Sequence, residues 1–489
     1  MDARRIRLAV VVVCLAAAVL GGLGAASARA ATHYAVVPIT DEAGIDSASL
    51  NATGQVALSI FQGSCCDDAG YWSHGRVTIL PAACMLCNGF GAGAFGINTA
   101  GQITGSVSNF DATTQTDFNQ AYRFSIATGR TTLIPTLGGT NADGEGINGA
   151  GQVVGRADLA SGVTHAFLWN GSAVKDLGTL GGHNSVAYAT YASGQAVGCA
   201  QTATGRYHPF RYQGGAMTDL GLPAGMTQGC ATSVNSSGTV LGYALNGRGG
   251  CATWLRQAGT RTVLPKLNGQ CILPGDIPGG SSLPNNPGHI ANTGQVVGGI
   301  TDAAGNLQPV VYQGGGVSRI GAAQTPFDRP STNPGVTPGW SGLATSDNLH
   351  GLITVLGPND NGSNTLYLFT PIAIDDETSA ALHFSSGWTR TALAGAYGGF
   401  VKQSATAGAT ATLTFTGTSV SVIGAKRPGL GSATIRIDGT AKGTVSETGA
   451  ARARVRLDRI FFATPGTHTI RISVHSGTFK LDAITVTPH

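Results

Sequence analysis

Charge is scarce in this chain. Asp, Glu, Lys and Arg together make up 11% of its 489 residues. Residues 1–30 hold four basic side chains and one acidic, and the rest of the chain carries 25 and 24. A nearly neutral surface excludes binding driven by phosphate neutralisation, so nucleic acid is not an expected partner. No long apolar run occurs after residue 23, so no integral membrane segment is expected once a leader is removed. P-loop, His-Glu-x-x-His, Gly-x-Ser-x-Gly and EF-hand patterns are all missing. Gly91-Ala92-Gly93-Ala94-Phe95-Gly96 matches Gly-x-Gly-x-x-Gly literally, but it has no strand–helix setting and reads as a glycine-rich turn.

Glycine is abundant instead: 74 residues, with 20 prolines, in a chain that is still 42% hydrophobic. That balance indicates many tight turns rather than disorder. The glycines are ordered by a repeat. Ile97-Asn98-Thr99-Ala100-Gly101-Gln102-Ile103-Thr104-Gly105 is followed by Ile147-Asn148-Gly149-Ala150-Gly151-Gln152-Val153-Val154-Gly155 and by Val234-Asn235-Ser236-Ser237-Gly238-Thr239-Val240-Leu241-Gly242. Weaker copies centre on Gly54, Gly194, Gly294 and Gly351, so successive glycines lie 47, 50, 43, 44, 56 and 57 residues apart. Asn supports an Asx-type turn and Gly supplies a positive φ, so each copy reads as a hairpin.

A second hairpin alternates with the first. His165-Ala166-Phe167-Leu168-Trp169 runs through a Gly turn to Asp176-Leu177-Gly178, and His208-Pro209-Phe210-Arg211-Tyr212 to Asp219-Leu220-Gly221. Two hairpins per period give four short strands, the content of one β-propeller blade. His33-Tyr34-Ala35-Val36-Val37-Pro38-Ile39 has no partner strand before it, and Leu366-Tyr367-Leu368-Phe369 has a poor one after it. Pairing of these two ends would close a ring, and the repeat count predicts seven blades over 31–371. His165 and His208 share one repeat column with Gln120, Cys251 and Gln308, which marks them as strand-edge features rather than catalytic bases. These units resemble the HAF-type extracellular repeats of bacteria. The resemblance rests on His165-Ala166-Phe167-Leu168-Trp169, on Asp176-Leu177-Gly178-Thr179-Leu180-Gly181-Gly182, and on the Ile-Asn-x-x-Gly-Gln-Val-Val-Gly turns. It implies secretion and a repeat scaffold, and no particular reaction.

The ends of the chain read differently. Arg4, Arg5 and Arg7, an apolar run over 8–23, and Ala28-Arg29-Ala30 make residues 1–30 an expected signal peptide. Eight cysteines follow it, and in an exported chain they read first as disulfides. Cys65 and Cys66 stand with Cys84 and Cys87, where a zinc site is the alternative. Cys199 with Cys230, and Cys251 with Cys271, pair by proximity. The Pro/Gly-rich insertions 267–290 and 321–343 lengthen two blades, and Phe327, Trp340 and Cys271 are expected to border a rim site there.

Beyond residue 371 the period stops, and short alternating strands predict a β-sandwich over 372–489. This segment carries 12 basic and 7 acidic residues. It resembles the galactose-binding-like jelly-roll modules of exported bacterial proteins through Gly387-Trp388, Ala405-Thr406-Ala407-Gly408-Ala409, Ile437-Asp438-Gly439, Pro465-Gly466-Thr467-His468-Thr469-Ile470 and Leu481-Asp482-Ala483. The resemblance implies attachment to a polysaccharide or cell-surface glycan. An aromatic face and polar side chains suit a sugar, so Trp388, Tyr397, Lys426 and Arg427 are the candidates. The competing reading buries Trp388 in the core and leaves the basic pair in a solvated loop. Asp375, Asp376 and Asp482 are hard-oxygen candidates for a structural Ca²⁺, against an ordinary role at turns and strand ends. No cofactor is required.

The expected protein is therefore all-β: a propeller followed by a sandwich, exported to the periplasm or medium, and binding rather than catalytic. The alternative is a polysaccharide-active hydrolase or lyase with its site on the propeller face. Asp67-Asp68, Asp143 with Glu145, and Asp41-Glu42 supply carboxylates for such chemistry, which needs a spatial pairing of two of them. A purely structural or adhesive surface protein is the third reading.

Overall fold

The computed structural model describes residues 33–38, 45–61, 67–73, 76–80, 91–111, 116–191, 194–272, 288–301, 307–320, 343–347, 353–358, 364–376, 378–396 and 399–487. Six antiparallel four-stranded sheets span 45–79, 92–133, 138–176, 181–219, 228–263 and 289–319, here the first to sixth blades. Strand order in each follows the chain, as two linked hairpins require. Six separate blades replace the seven that the repeat count predicts. Strands Leu343–Asp347, Ile353–Pro358 and Asn364–Asp376 keep the same meander, but they belong to a twelve-stranded sheet with the carboxy-terminal strands.

Two observations bear on ring closure. His33–Pro38 pairs antiparallel with Asn364–Asp376, from His33 opposite Ile372 to Pro38 opposite Tyr367. Leu343–Asp347 packs against both the first blade and the sixth. The edge that the first aromatic strand would expose is therefore covered by the chain's own amino-terminal segment.

The repeated turn is an Asx turn with a left-handed glycine. In the third blade Asn148 Oδ1 accepts the Ala150 and Gln152 amides at 3.1 and 3.0 Å. Gly151 has φ +76°, a value that costs any L side chain strain. The asparagine amide then reaches the next blade. Asn51 Nδ2 donates to Asn98 O at 2.9 Å, Asn98 Nδ2 to Asn148 O at 2.9 Å, Asn148 Nδ2 to Tyr191 O at 3.0 Å, and Asn235 Nδ2 to Ala291 O at 3.1 Å. One residue type at one repeat position thus makes both the turn and a belt between blades. Large aromatics fill the space between the sheets, with Tyr122, Phe167, Trp169, Phe210 and Trp254 buried. Each such side chain contributes roughly 2–3 kcal/mol by its burial.

In the carboxy-terminal segment the period-two pattern decides which face is buried. Along Thr410–Lys426, Ala411, Leu413 and Phe415 turn inward and Thr412, Thr414 and Thr416 outward. Their core includes Val420, Val422, Ile435, Ile470, Ile472, Phe479 and Ile484. The join to the ring is not a loop. Asn364–Asp376 pairs first with Ile353–Pro358 and His33–Pro38, then through Ala373–Asp376 with Phe479–Thr487.

Candidate functional site

The innermost strands carry a recurring β-bulge. Phe95, Glu145, Tyr188 and Thr232 each stand where the register to the second strand slips by one. A bulged residue opposes nothing across the ladder and is re-aimed. Here the four side chains line the central passage together with Ala48 and His289, around a volume of about 160 Å³. The slip drives the inner strand's backbone toward its neighbour, which explains the last glycine of each repeat. A Cβ on Gly155 would lie 1.8 Å from Asp143 O, and Gly105 and Gly198 would each meet a carbonyl at 1.9 Å.

Glu145 is the acidic residue among those that line the passage. Next to it the third blade departs from its neighbours. Asp143 stands opposite Arg156. The same two positions are Val186 and Cys199 in the fourth blade, and Cys230 and Tyr243 in the fifth. Those four residues pack as one apolar cluster. In the third blade they are an ion pair: Arg156 Nε donates to Asp143 Oδ2 at 2.9 Å and lies 3.9 Å from Glu145 Oε1.

The pair opens on a cleft of about 470 Å³ on the side of the ring away from the asparagine turns. Asn119, Asn141, Asp158, Asn184 and Tyr207 complete its wall. Most of these polar groups hold the blades together. Asn141 Oδ1 accepts the Asn119 amide at 2.9 Å and its Nδ2 donates to Asp158 at 2.7 Å, while Asn184 Oδ1 accepts the Thr164 amide at 3.1 Å. Asn119 Nδ2 donates to Asp143 at 3.2 Å. Arg156 is different, because its side chain remains 48% exposed while Asp143 is 9% exposed. A buried carboxylate anchors the guanidinium and leaves its outer edge toward the cleft.

The electrostatics single out Glu145. Burial pushes Glu145 up to about 7, Arg156 opposes this, and Asp143 adds to it. Burial disfavours the Arg156 cation, but Glu145 and Asp143 outweigh it and raise its pKa. Burial also raises the Tyr207 phenol, against the pull of Arg156 and a hydrogen bond with Asn184. The cleft therefore offers a fixed cation and a phenol, while Glu145, whose carboxyl titrates near neutrality, lies on the central passage 3.9 Å from Arg156. Such a set binds polyhydroxylated or carboxylate-bearing molecules.

The residues singled out from sequence are distributed as follows. His165 Nδ1 lies 2.9 Å from Asp176 and His208 Nδ1 2.8 Å from Asp219, each joining the outer two strands of its blade. Trp388 is half-buried and packs on Phe384 with ring centroids 5.3 Å apart, against the carboxy-terminal core. Phe384 pairs with Ala411, whereas Lys426 ends the same seventeen-residue strand, so Trp388 and the Lys426-Arg427 loop lie toward its opposite ends. Asp375 and Asp376 face Ile484 and Ala483, which sets them beside buried Asp482 on the neighbouring strand. Asp375 accepts from Ser379 Oγ and Asp376 from the Thr378 amide and hydroxyl, so both cap a turn. No group of three or more His, Cys, Asp or Glu side chains fit to hold a metal occurs among the described residues. Tyr397, Phe327, Trp340, Cys65, Cys66, Cys84 and Cys87 lie outside the described residues.

Two disulfides are present among the described residues, Cys199–Cys230 and Cys251–Cys271. The first ties the fourth blade to the fifth, and Cys271 is buried. No helix among the described residues is long and apolar enough to cross a membrane.

Sequence reading did not find Arg156 or Tyr207. The available signal was the broken repeat column: a charged pair where the second, fourth and fifth copies have Gly/Ser, Val/Cys and Cys/Tyr.

No protein-family model and no curated protein matches the chain. Among solved structures it is similar to a family two carbohydrate esterase from Cellvibrio japonicus, with 13% identity and TM-score 0.20 over 24% of this chain and 34% of that one. The chain thus spans about a third of the esterase. It is also similar to the β-propeller domain of the Trilobed protease from Pyrococcus furiosus, with 7% identity and TM-score 0.44 over 67% of this chain and 95% of that one. A third is the CBM36-1 domain of a multidomain xylanase from the hindgut metagenome of Trinervitermes trinervoides, with 15% identity and TM-score 0.19 over 23% and 94%. These likenesses are distant and superpose only part of the chain.

Proposed function

We propose that this is an exported polysaccharide-binding protein whose recognition site is the cleft around Arg156. The observation that carries this reading is the Asp143–Arg156 pair, placed where the fourth and fifth blades have apolar side chains and the second has Gly93 and Ser106, and left half open to the cleft. In this reading residues 1–30 are a signal peptide, and two disulfides suit an oxidising compartment. The ring is of the HAF-repeat kind, and His33–Pro38 with strands 343–347, 353–358 and 364–376 makes its seventh blade. Residues 372–489 form a galactose-binding-like sandwich that attaches the protein to a glycan, with Trp388 and the Lys426-Arg427 loop as two separate candidate contacts.

A second reading, a hydrolase with its site where Arg156 meets Asp143 and Glu145, is favoured by Glu145, which burial raises to about 7. A carboxyl raised toward neutrality suits general acid–base work. A glycan array probed with the full chain, with and without Arg156→Ala, tests the first reading. Binding lost in the variant supports the cleft, and unchanged binding removes it. Reducing ends released by the wild type and not by Glu145→Gln would replace the binding reading with the hydrolytic one.

A further inference from the structure

The asparagine belt is interrupted at one blade junction. Asn51, Asn98, Asn148 and Asn235 each donate from Nδ2 to a main-chain carbonyl in the turn of the following blade. The junction from the fourth blade to the fifth is the exception between the first and sixth. There the repeat reads Tyr191-Ala192-Ser193-Gly194-Gln195, and a tyrosine ring has no amide to give. Asn235 O, the carbonyl such a link would reach, accepts the Gly238 amide of its own turn at 2.9 Å. The change also leaves a mark inside the fourth blade. In the first three blades the asparagine amide donates to its own glutamine as well, at 3.0, 2.8 and 2.9 Å from Gln55, Gln102 and Gln152 Oε1. Gln195 Oε1 is buried and has no hydrogen-bond partner.

A second kind of link is common to intact and interrupted junctions. Arg123 donates to Gly151 O at 3.1 Å between the second and third blades, and Arg211 to Gly238 O at 2.8 Å between the fourth and fifth. It therefore does not replace what the asparagine supplies. What the interrupted junction has instead is covalent. Cys199, on the second strand of the fourth blade, is bonded to Cys230 on the innermost strand of the fifth. At these positions the preceding junctions have Ser106 with Asp143 and Arg156 with Val186, and both keep the asparagine link. Cys251–Cys271 belongs to the fifth blade and the segment that leaves it, so it does not cross this junction. The disulfide between blades and the missing amide fall at the same place.

We propose that the Cys199–Cys230 disulfide is an oxidation-dependent latch: it takes the place of the missing asparagine link, so the seam between the fourth and fifth blades closes firmly only once both cysteines are oxidised. Closure needs an electron acceptor, which is a small disulfide such as oxidised glutathione. One cysteine thiolate attacks it, forming a mixed disulfide and releasing one thiol, and the second cysteine thiolate then displaces the other. The two cysteines give up two protons and two electrons, and the oxidant becomes two thiols. Both cysteines are buried in the closed ring, so a reductant reaches their bond only when the seam opens. The chain thus has a loose seam where thiols stay reduced and a closed one in oxidising surroundings. The latch stands whatever the cleft at Arg156 binds.

Hydrogen exchange of the full chain, read by mass spectrometry, tests the seam. Cys199→Ala with Cys230→Ala should speed exchange of Gln228–Val234 about tenfold. Exchange of Ala92–Ile97 should not change, because the asparagine link at that junction is intact. Adding Tyr191→Asn, which supplies an amide for Gln195 Oε1 and Asn235 O, should restore most of the lost protection. Tyr191→Asn alone keeps the disulfide and serves even if the double cysteine variant does not fold. In it, dithiothreitol should reduce Cys199–Cys230 about fivefold more slowly than in wild type, as read by alkylation of the freed thiols. Equal acceleration at Ala92–Ile97, none at Gln228–Val234, or no recovery on adding Tyr191→Asn overturns the proposal. So does unchanged or faster reduction in Tyr191→Asn.

Discussion

Asn98 Nδ2 donates to the main-chain carbonyl of Asn148 across 2.9 Å, so a turn in the second blade holds the corresponding turn of the third. The same side chain accepts the Ala100 and Gln102 amides through Oδ1. Asn98→Ala should therefore cost about 2–4 kcal/mol, since it strips buried main-chain groups of their partners. Asn170→Ala removes a similar turn contact at an exposed position and should cost under about 1 kcal/mol. Urea unfolding of both variants measures the difference. Equal losses would mean that the link between blades contributes nothing beyond the turn.

Gly155 and Gly162 give a cleaner contrast. An added methyl at Gly155 meets Asp143 O at 1.8 Å, while at Gly162 it meets nothing within 4 Å but must adopt φ +83°. Gly155→Ala should destabilise by more than about 3 kcal/mol, and Gly162→Ala by about 1 kcal/mol. Thermal denaturation of the two proteins ranks them. The reverse order would refute the steric account of the bulge.

The Cys199–Cys230 bond closes a 31-residue separation between two blades. Loop-closure entropy for a loop of that length is worth about 3–4 kcal/mol. Replacing both cysteines with alanine should lower the urea midpoint accordingly. Reductant should then shift wild type toward the variant and move the variant itself much less.

Glu145 makes stability depend on pH in the opposite sense to a salt-bridged carboxylate. Its folded pKa of about 7 exceeds the ordinary 4.5, so the folded state keeps a proton that the unfolded chain releases. That stabilisation is present at low pH and is lost as pH rises from about 4.5 through 7. Buried Glu447, raised to about 8, extends the same trend. The Glu145 share is under about 3 kcal/mol, because its side chain is 21% exposed. Thermal midpoints from pH 5 to 8 should fall more steeply for wild type than for Glu145→Gln. Parallel curves would show that Glu145 ionises normally.

What could be read from sequence follows from how local each feature is. Asn148 and Gly151 make their turn within five residues, so the repeat announces it. The Cys199–Cys230 pair was legible only as two cysteines near each other in sequence. The separation into six blades and a larger sheet was not legible, because it depends on Asn364–Asp376 continuing into the last strands. Asp143 and Glu145 were visible as acids. Their meeting with Arg156 needs the register of two strands and a one-residue slip, and no propensity encodes that.

The unbroken strand Asn364–Asp376 has a mechanical meaning. If the carboxy-terminal segment is held by a surface and the rest of the chain is dragged by flow, tension enters the ring along that strand. Six residue pairs with His33–Pro38 then resist together, loaded lengthwise rather than peeled one at a time. A flexible tether would swivel under the same pull. This join transmits it, and the amino-terminal strand is the first part of the ring to carry it.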